Sequence, residues 1–242
     1  KNLCKPADYV EPAIEPTKTM LNQAVNAPEN LKNLPGYDQN PKFSPDGRYL
    51  AWTSRAGDGY EAGRMRLCCY ALKTGEKTFL TESFDSNVDD YCWAPDARTI
   101  YYIGVWHATE NLYSTNLQGE VKQMTNYQAD FGSLQMLNDK QILAEKHSYT
   151  EPADLYVVTP NDPDNGVAIT QITEVNKEIL DQLGKPSVEQ YWVKTTDGKD
   201  MLTWVILPPH FDKTKKYPTL LFCEGGPQSP VSQFWSYRWN FF

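Results

Sequence analysis

Short runs rich in aromatic and β-branched residues alternate with clusters of Gly, Asp, Asn and Pro along most of this chain, a pattern that predicts strands and tight turns. The pattern also recurs. Pro41-Lys42-Phe43-Ser44-Pro45-Asp46-Gly47-Arg48-Tyr49-Leu50-Ala51-Trp52-Thr53-Ser54 returns as Asp90-Tyr91-Cys92-Trp93-Ala94-Pro95-Asp96-Ala97-Arg98-Thr99-Ile100-Tyr101-Tyr102-Ile103, an offset of 50 residues from Pro45 to Pro95. A weaker third copy, Leu134 to Leu143, keeps strand, Asx-type turn and strand but loses the proline. The second halves repeat too: Leu67-Cys68-Cys69-Tyr70 up to Lys77 matches Leu112-Tyr113-Ser114-Thr115 up to Lys122, and Leu155-Tyr156-Val157-Val158-Thr159 opens the same half again.

Four antiparallel strands per unit at a period of about 40 to 50 residues predict β-propeller blades. A meandering sandwich is the alternative, and it would show no fixed period. The units run at about 37–81, 88–125 and 130–173. Lys1-Asn2-Leu3-Cys4-Lys5 resembles the outer strand at Lys122–Thr125 without the strands that should precede it, so the chain is expected to start inside a blade. Residues 11–36 are expected to form a Pro- and Asn-rich surface insertion, with Asn26–Asn30 turning onto a short helix. Residues 1–173 would then be part of a propeller, because so few blades do not close a ring.

After Thr173 the period disappears. Residues 174–188 are expected to be a linker with a short helix from Asn176 that ends at Gly184. From 189 to 242 the pattern predicts a hairpin, Tyr191–Thr195 and Met201–Leu207 around Asp197-Gly198. A buried strand Thr219–Cys223 should follow, running into Glu224-Gly225-Gly226-Pro227. Hairpin, buried strand and Gly-rich loop, in that order, are how an α/β-hydrolase domain opens. The fold class expected is mainly β: a partial propeller of four-stranded antiparallel blades, then the first strands of a hydrolase domain.

Composition narrows the chemistry. The 242 residues are 40% apolar, enough for sizeable cores. A formal charge of −8 with scattered lysines argues against a nucleic-acid partner. No apolar run is long enough for a membrane-spanning helix. The five cysteines Cys4, Cys68, Cys69, Cys92 and Cys223 form no CxxC pair, which argues against a zinc site and a full disulfide framework. Neighbouring Cys68 and Cys69 point to opposite faces of a strand, so one of them is expected to be buried. No metal and no cofactor are implied.

A strand that ends in Gly-Gly-Pro offers bare backbone N–H groups to a developing oxyanion, although a plain strand-ending turn reads the same way. The G-x-S-x-G elbow of a serine nucleophile is missing: only Gly59 and Gly63 have its spacing, and Glu61 stands between them. His107, His147 and His210 all precede any such elbow and read as structural or surface histidines. Phe234, Trp235, Tyr237 and Trp239 either wall a substrate pocket or begin a helix with Trp235 and Trp239 on one face.

Taken together, the Ser-Pro-Asp-Gly turns, the Thr-Asp-Gly hairpin and Lys216-Tyr217-Pro218-Thr219-Leu220-Leu221 leading into Gly-Gly-Pro resemble the prolyl oligopeptidase family of serine peptidases. The likeness extends across the chain. Glu224-Gly225-Gly226-Pro227-Gln228-Ser229-Pro230 followed by Phe234-Trp235-Ser236-Tyr237-Arg238-Trp239 is most similar to its dipeptidyl peptidase type V and acylaminoacyl peptidase branch. The resemblance implies a secreted or periplasmic bacterial exopeptidase that releases dipeptides or acylated residues from the N-termini of peptides. The N–H of Gly226 would donate to the oxyanion, and Glu224, Gly225, Phe234 and Trp235 would line the substrate site. Relatives often carry histidine where Glu224 stands; Glu224 would bind a substrate's α-amino group or pair with Arg238. Serine, aspartate and histidine are expected beyond residue 242, leaving this chain inactive alone. A non-catalytic propeller binding module is the alternative, and exposed blade edges point to a homodimer.

Overall fold

A computed structural model describes residues 37–57, 62–163, 166–222 and 229–238. The expected blade remnant at the start, the insertion 11–36 and its helix lie outside the described residues. Strands dominate what is described, in three antiparallel units of β-propeller type. The first holds β1 (Tyr37–Phe43), β2 (Tyr49–Arg55), β3 (Met65–Ala71) and β4 (Lys77–Phe79), hydrogen-bonded in chain order. The second holds β5 (Val88–Trp93), β6 (Thr99–Trp106), β7 (Thr109–Asn116) and β8 (Val121–Gln123); the third holds β9 (Asp130–Asn138), β10 (Gln141–Ser148), β11 (Glu151–Asp162) and β12 (Gly166–Gln171). A parallel bridge, Glu110 opposite Asp130, links β7 to β9.

The repeated Pro-Asp turn is built by its aspartate. In the first copy the N–H of Gly47 donates to Ser44 O at 2.9 Å, and the Asp46 carboxylate accepts from the Ser44 hydroxyl at 2.7 Å and the Arg48 N–H at 3.0 Å. Gly47 sits at φ +69°, where glycine alone escapes a Cβ penalty. The second copy makes the same turn with Asp96 accepting from the N–H groups of Arg98 and Thr99, both at 2.8 Å, but it places Ala97 at φ 56°. In the third, Asn138 takes the aspartate's place and accepts the Lys140 N–H at 2.9 Å.

A second repeated device closes each unit. The hydroxyl of Thr81 accepts the N–H of Leu67 at 2.9 Å, that of Thr125 accepts Leu112 N–H at 2.9 Å, and that of Thr173 accepts Leu155 N–H at 2.8 Å. In each case the residue before the threonine donates its N–H back to the same leucine's carbonyl, at 2.8 Å for Leu80, 2.9 Å for Met124 and 2.9 Å for Ile172. The threonine hydroxyl thus extends the ladder one step past the point where the outer strand turns away.

The chain divides into two compact units. One runs to Asp89 and adds Trp93–Tyr101 and Ser114–Lys122; the other takes Asp90–Cys92, Tyr102–Tyr113 and Gln123 onward. Ala51, Leu67, Cys68, Leu80 and Ile100 form the first core, each fully buried. Trp52 Nε1 donates to Asp38 at 2.8 Å and Trp93 Nε1 to Lys42 O at 3.1 Å, so its large rings are buried with their polar edges satisfied. Tyr91, Tyr102, Ile103, Leu112, Phe131 and Ile142 form the second core. Central strands are covered on both faces: β6 is buried continuously from Ile100 to Gly104. The same holds for β3, so Cys68 and Cys69 are both buried, at 0% and 4% exposure, where the sequence pattern led one to expect a single buried thiol.

Beyond the third unit, helix α1 covers only Lys177–Leu180 and closes at Asp181. Gly184 is not its cap. A Cβ built there would lie 2.8 Å from Pro209 Cβ, so glycine is required by close packing. β13 (Ser187–Lys194) pairs with β14 (Asp200–Leu207) in register, and the connection is wider than a two-residue turn: Thr195 and Lys199 face each other, with Gly198 at φ +82° between them. The expected strand at Thr219–Cys223 does not form over its described part. Residues 219–222 join no sheet, and Leu220 and Leu221 are 81% and 85% exposed. An apolar run becomes a strand only when a neighbouring strand takes up its N–H and C=O groups, and none of the described strands pairs along it.

Candidate functional site

The best-organised polar cluster lies where β9 begins. Ala129, Asp130 and Phe131 are buried in succession at 3%, 1% and 0% exposure, so the Asp130 carboxylate enters the interior with its strand. A carboxylate there needs donors. One comes from β7, the Glu110 N–H at 3.0 Å; two more come from far along the chain, the Ser232 hydroxyl and the Gln233 N–H. His147, its cross-strand partner on β10, holds Nε2 3.9 Å from Asp130 Oδ2. Burial pushes the Asp130 carboxyl above its ordinary pKa, opposed by the Ser232 hydroxyl, the His147 charge and the two backbone N–H groups.

Residues 229–238 have no regular secondary structure, so side chains and borrowed contacts hold them. Trp204 on β14 donates Nε1 to Val231 O at 3.0 Å. Phe234 packs on Tyr149 with ring centres 6.2 Å apart, and Tyr149 packs edgewise on Trp204 at 6.4 Å. Trp235 meets Tyr237 edge-on at 5.9 Å. The Gln233 side chain is completely buried, yet neither of its amide atoms has a hydrogen-bond partner among the described residues; the same holds for Trp235 Nε1 and Thr203 Oγ1.

Asp130, Ser232 and His147 are the residue types of a hydrolytic triad in the wrong connectivity. Ser232 donates to the carboxylate, and His147 Nε2 at 3.9 Å is too far from Asp130 for a hydrogen bond, so the aspartate does not orient the imidazole as a triad requires. The cluster is an anchor: with Trp204 and Tyr149 it fixes 231–234 against β9, β14 and the turn after β10.

Of the residues expected to form the site, Gly226, Glu224 and Gly225 lie outside the described residues, as does the expected pairing of Glu224 with Arg238. Phe234 and Trp235 are half-buried in the anchored stretch. No helix forms over 229–238, which corrects the helical alternative for Trp235; the backbone there is spent on Asp130 and Trp204 instead of an i to i+4 ladder. His107 occupies the two-residue β6–β7 turn at φ 50°, stacked on Trp106 at 4.6 Å and edge-on to Trp192 at 5.2 Å. His210 follows β14 at φ 59°. Sequence reasoning missed Asp130, Ser232, Tyr149 and Trp204; Asp130 stands between Ala129 and Phe131 at the start of a strand with no motif to mark it. An open cleft of 660 Å³ lined by Glu189, Tyr191, Leu207, Phe211, Asp212 and Lys213 includes none of the expected site residues.

Against known sequences, the chain is 49% identical over 210 residues to dipeptidyl-peptidase 5 of Porphyromonas gingivalis and 43% identical over 210 residues to that of Porphyromonas endodontalis; each alignment covers 86% of this chain. The chain is related to the dipeptidyl-peptidase 5 enzymes. It is homologous to part of a peptidase of the prolyl oligopeptidase type, as its motifs led one to expect. The chain spans 30% of the length of these two relatives. No protein-family model matches it. Among solved structures, Pyrococcus horikoshii acylaminoacyl peptidase superposes with a TM-score of 0.66 at 19% identity over 85% of this chain and 30% of that one. Porphyromonas gingivalis dipeptidyl peptidase 4 gives 0.58 at 19% identity over 81% and 27%. These two likenesses show the fold. Among the described residues no helix is long and apolar enough to cross a membrane.

Proposed function

We propose that this chain is part of a serine exopeptidase that releases dipeptides from the N-termini of peptides. The observation that carries the reading is the 49% identity to a dipeptidyl-peptidase 5 over 86% of the chain. A pure propeller binding module is disfavoured because the blade pattern stops after Thr173 and the β13–β14 hairpin follows. In this reading the blades limit access to short peptides, and the Gly-Gly-Pro loop supplies an oxyanion donor at Gly226. Glu224, Gly225, Phe234 and Trp235 lie on the substrate side, and the nucleophile, its base and the orienting acid come from sequence outside this chain. Glycine suits the donor position because a side chain would hold the substrate carbonyl away from the backbone N–H.

The test is hydrolysis by the full-length protein of matched fluorogenic substrates: a free-amine dipeptidyl amide, its N-acetylated form, and an aminoacyl amide. Release from the free-amine dipeptide, blocked by a serine-directed phosphonate, supports the reading. Activity confined to the aminoacyl substrate, or none on any substrate, overturns it. Secretion to the periplasm or medium belongs to the same proposal and is checked by fractionating cells for the activity. A homodimer through blade edges is checked by light scattering of the full-length enzyme.

A further inference from the structure

We propose that Tyr149, on the two-residue turn between β10 and β11, is a positioning residue for specificity: its ring backs Phe234 and thereby sets how large an apolar substrate side chain the peptidase accepts. The proposal rests on the reading above, in which Phe234 lies on the substrate side.

Three observations carry it. First, residues 229–238 have no helix or strand of their own, so no ladder of backbone bonds fixes where the Phe234 ring points. Tyr149 packs on that ring with centres 6.2 Å apart and planes at 55°, within the range of attractive ring pairs. Second, Tyr149 is itself firmly seated. It is 9% exposed, its turn is closed by Ser148 opposite Glu151, and Thr150 donates its N–H to the Ser148 hydroxyl at 3.3 Å. Its ring also packs edgewise on Trp204 of β14 at 6.4 Å, and the Trp204 indole donates to Val231 O at 3.0 Å. Tyr149 and Trp204 therefore hold the short stretch at both ends, its backbone at Val231 and its side chain at Phe234. Third, Phe234 is half-buried among the described residues, so part of its surface stays open. An aromatic ring seated against the protein with part of its surface open is suited to wall a pocket for apolar groups.

The consequence concerns discrimination between substrates. A hydrophobic pocket separates substrates that differ by one methylene by about 10-fold or more, provided its wall does not give way. Removing the Tyr149 ring leaves a void beside Phe234 into which that ring can retreat. Larger and smaller side chains then fit about equally well. Tyr149 touches no substrate in this account; it acts through Phe234. The ratio of kcat/KM for two substrates on one enzyme preparation reads the effect directly, because a variant that merely folds less well loses both rates alike.

The experiment uses the full-length enzyme and two series of free-amine dipeptidyl amides, one carrying Ala, Val, Leu or Phe at the first residue and the other carrying them at the second. Wild type should prefer one side-chain size at one of the two positions. In Tyr149→Ala the ratio of kcat/KM between favoured and disfavoured side chains at that position should fall by about 10-fold, whereas Tyr149→Phe, which keeps the ring, should hold it within about twofold of wild type. Phe234→Ala should flatten the same ratio, and adding Tyr149→Ala to it should change the ratio no further, as a residue acting through Phe234 requires. Thr81→Val, placed only in blade closure, supplies a variant of lowered stability with unchanged ratios. Should Tyr149→Ala not fold, Tyr149→Leu takes its place, with an expected fall of about threefold or more. Ratios within about twofold of wild type in the non-aromatic variant refute the proposal, as does an effect that persists in full in the Phe234→Ala background. An active wild type with no size preference at either position refutes it too, and each of these results leaves the peptidase reading intact. A wild type inactive on every dipeptidyl substrate overturns both.

Discussion

Replacing Thr125 by valine removes one oxygen from the closure of the second blade and leaves the side-chain shape nearly unchanged. In the native chain that oxygen accepts the Leu112 N–H at 2.9 Å and donates to Asn111 Oδ1 at 2.9 Å, both within the buried interior, since Thr125 is 5% exposed. Asn111 Oδ1 keeps the Tyr127 N–H at 2.9 Å and is not orphaned. The Leu112 N–H loses its acceptor. An unsatisfied buried donor costs about 1–3 kcal/mol, and valine recovers part of this through its extra apolar area, so a net loss of about 2 kcal/mol is expected. Thr81→Val removes a single bond at 1% exposure and should cost slightly less; Thr173→Val, at a half-buried position, should cost about 1 kcal/mol. Urea unfolding followed by tyrosine and tryptophan fluorescence measures the order, with Thr125→Ser as the control that retains the hydroxyl. Amide exchange at Leu112 should quicken in the valine variant only. A Thr125→Val protein as stable as wild type, or a serine variant damaged as much as the valine one, would refute the account of the latch.

The Pro-Asp turns carry further predictions. Gly47→Ala should destabilise by about 1 kcal/mol, because a Cβ at φ +69° is strained even though the space around it is open. Ala97→Gly should be nearly neutral, since relief of the same strain is offset by losing a buried methyl and by a freer unfolded chain. The Asp46 carboxyl is drawn down to about 2 by the Ser44 hydroxyl and the Arg48 N–H. At Asp96 burial opposes the N–H groups of Thr99 and Arg98, which prevail and lower the pKa. A lowered folded pKa gives stability that is present above about pH 4 and lost as pH falls towards 2. Acid unfolding of Asp46→Asn/Asp96→Asn should therefore depend less steeply on pH in that window than wild type; an unchanged slope would count against the turns. Burial pushes the Cys68 thiol up to about 12 and Cys69 to about 11. Neither should react with iodoacetamide at about pH 8 until the protein unfolds, which peptide mass spectrometry of labelled samples would show.

The blades were legible because their signals are local. A Pro-Asp turn closes through one aspartate and the next few N–H groups, and Asp46 and Asp96 build it with the same kind of bond. The threonine latch was half legible: Thr125 and Thr173 end their units in the sequence pattern, but the leucine N–H each one caps lies 13 and 18 residues earlier, and only strand pairing brings them together. Helix α1 came out shorter than its polar and apolar spacing implied, because Gly184 answers to Pro209 and not to the helix end. The run 219–222 misled for a related reason: hydrophobicity marks a segment that needs a partner without naming the partner.

The sequence by itself determined the period, the turn chemistry and the relationship to the dipeptidyl-peptidase 5 enzymes, all properties of residues within one unit or of identities position by position. Tertiary structure alone decided that Asp130, an ordinary-looking acid at the start of a strand, meets Ser232 and Gln233 from far along the chain. It also decided that the Asp130 carboxylate is met by Ser232 and does not hydrogen-bond the nearby His147. The physical reason is that a carboxylate's role follows from which donors reach it after burial, and the spacing of residues along the chain does not say which those will be.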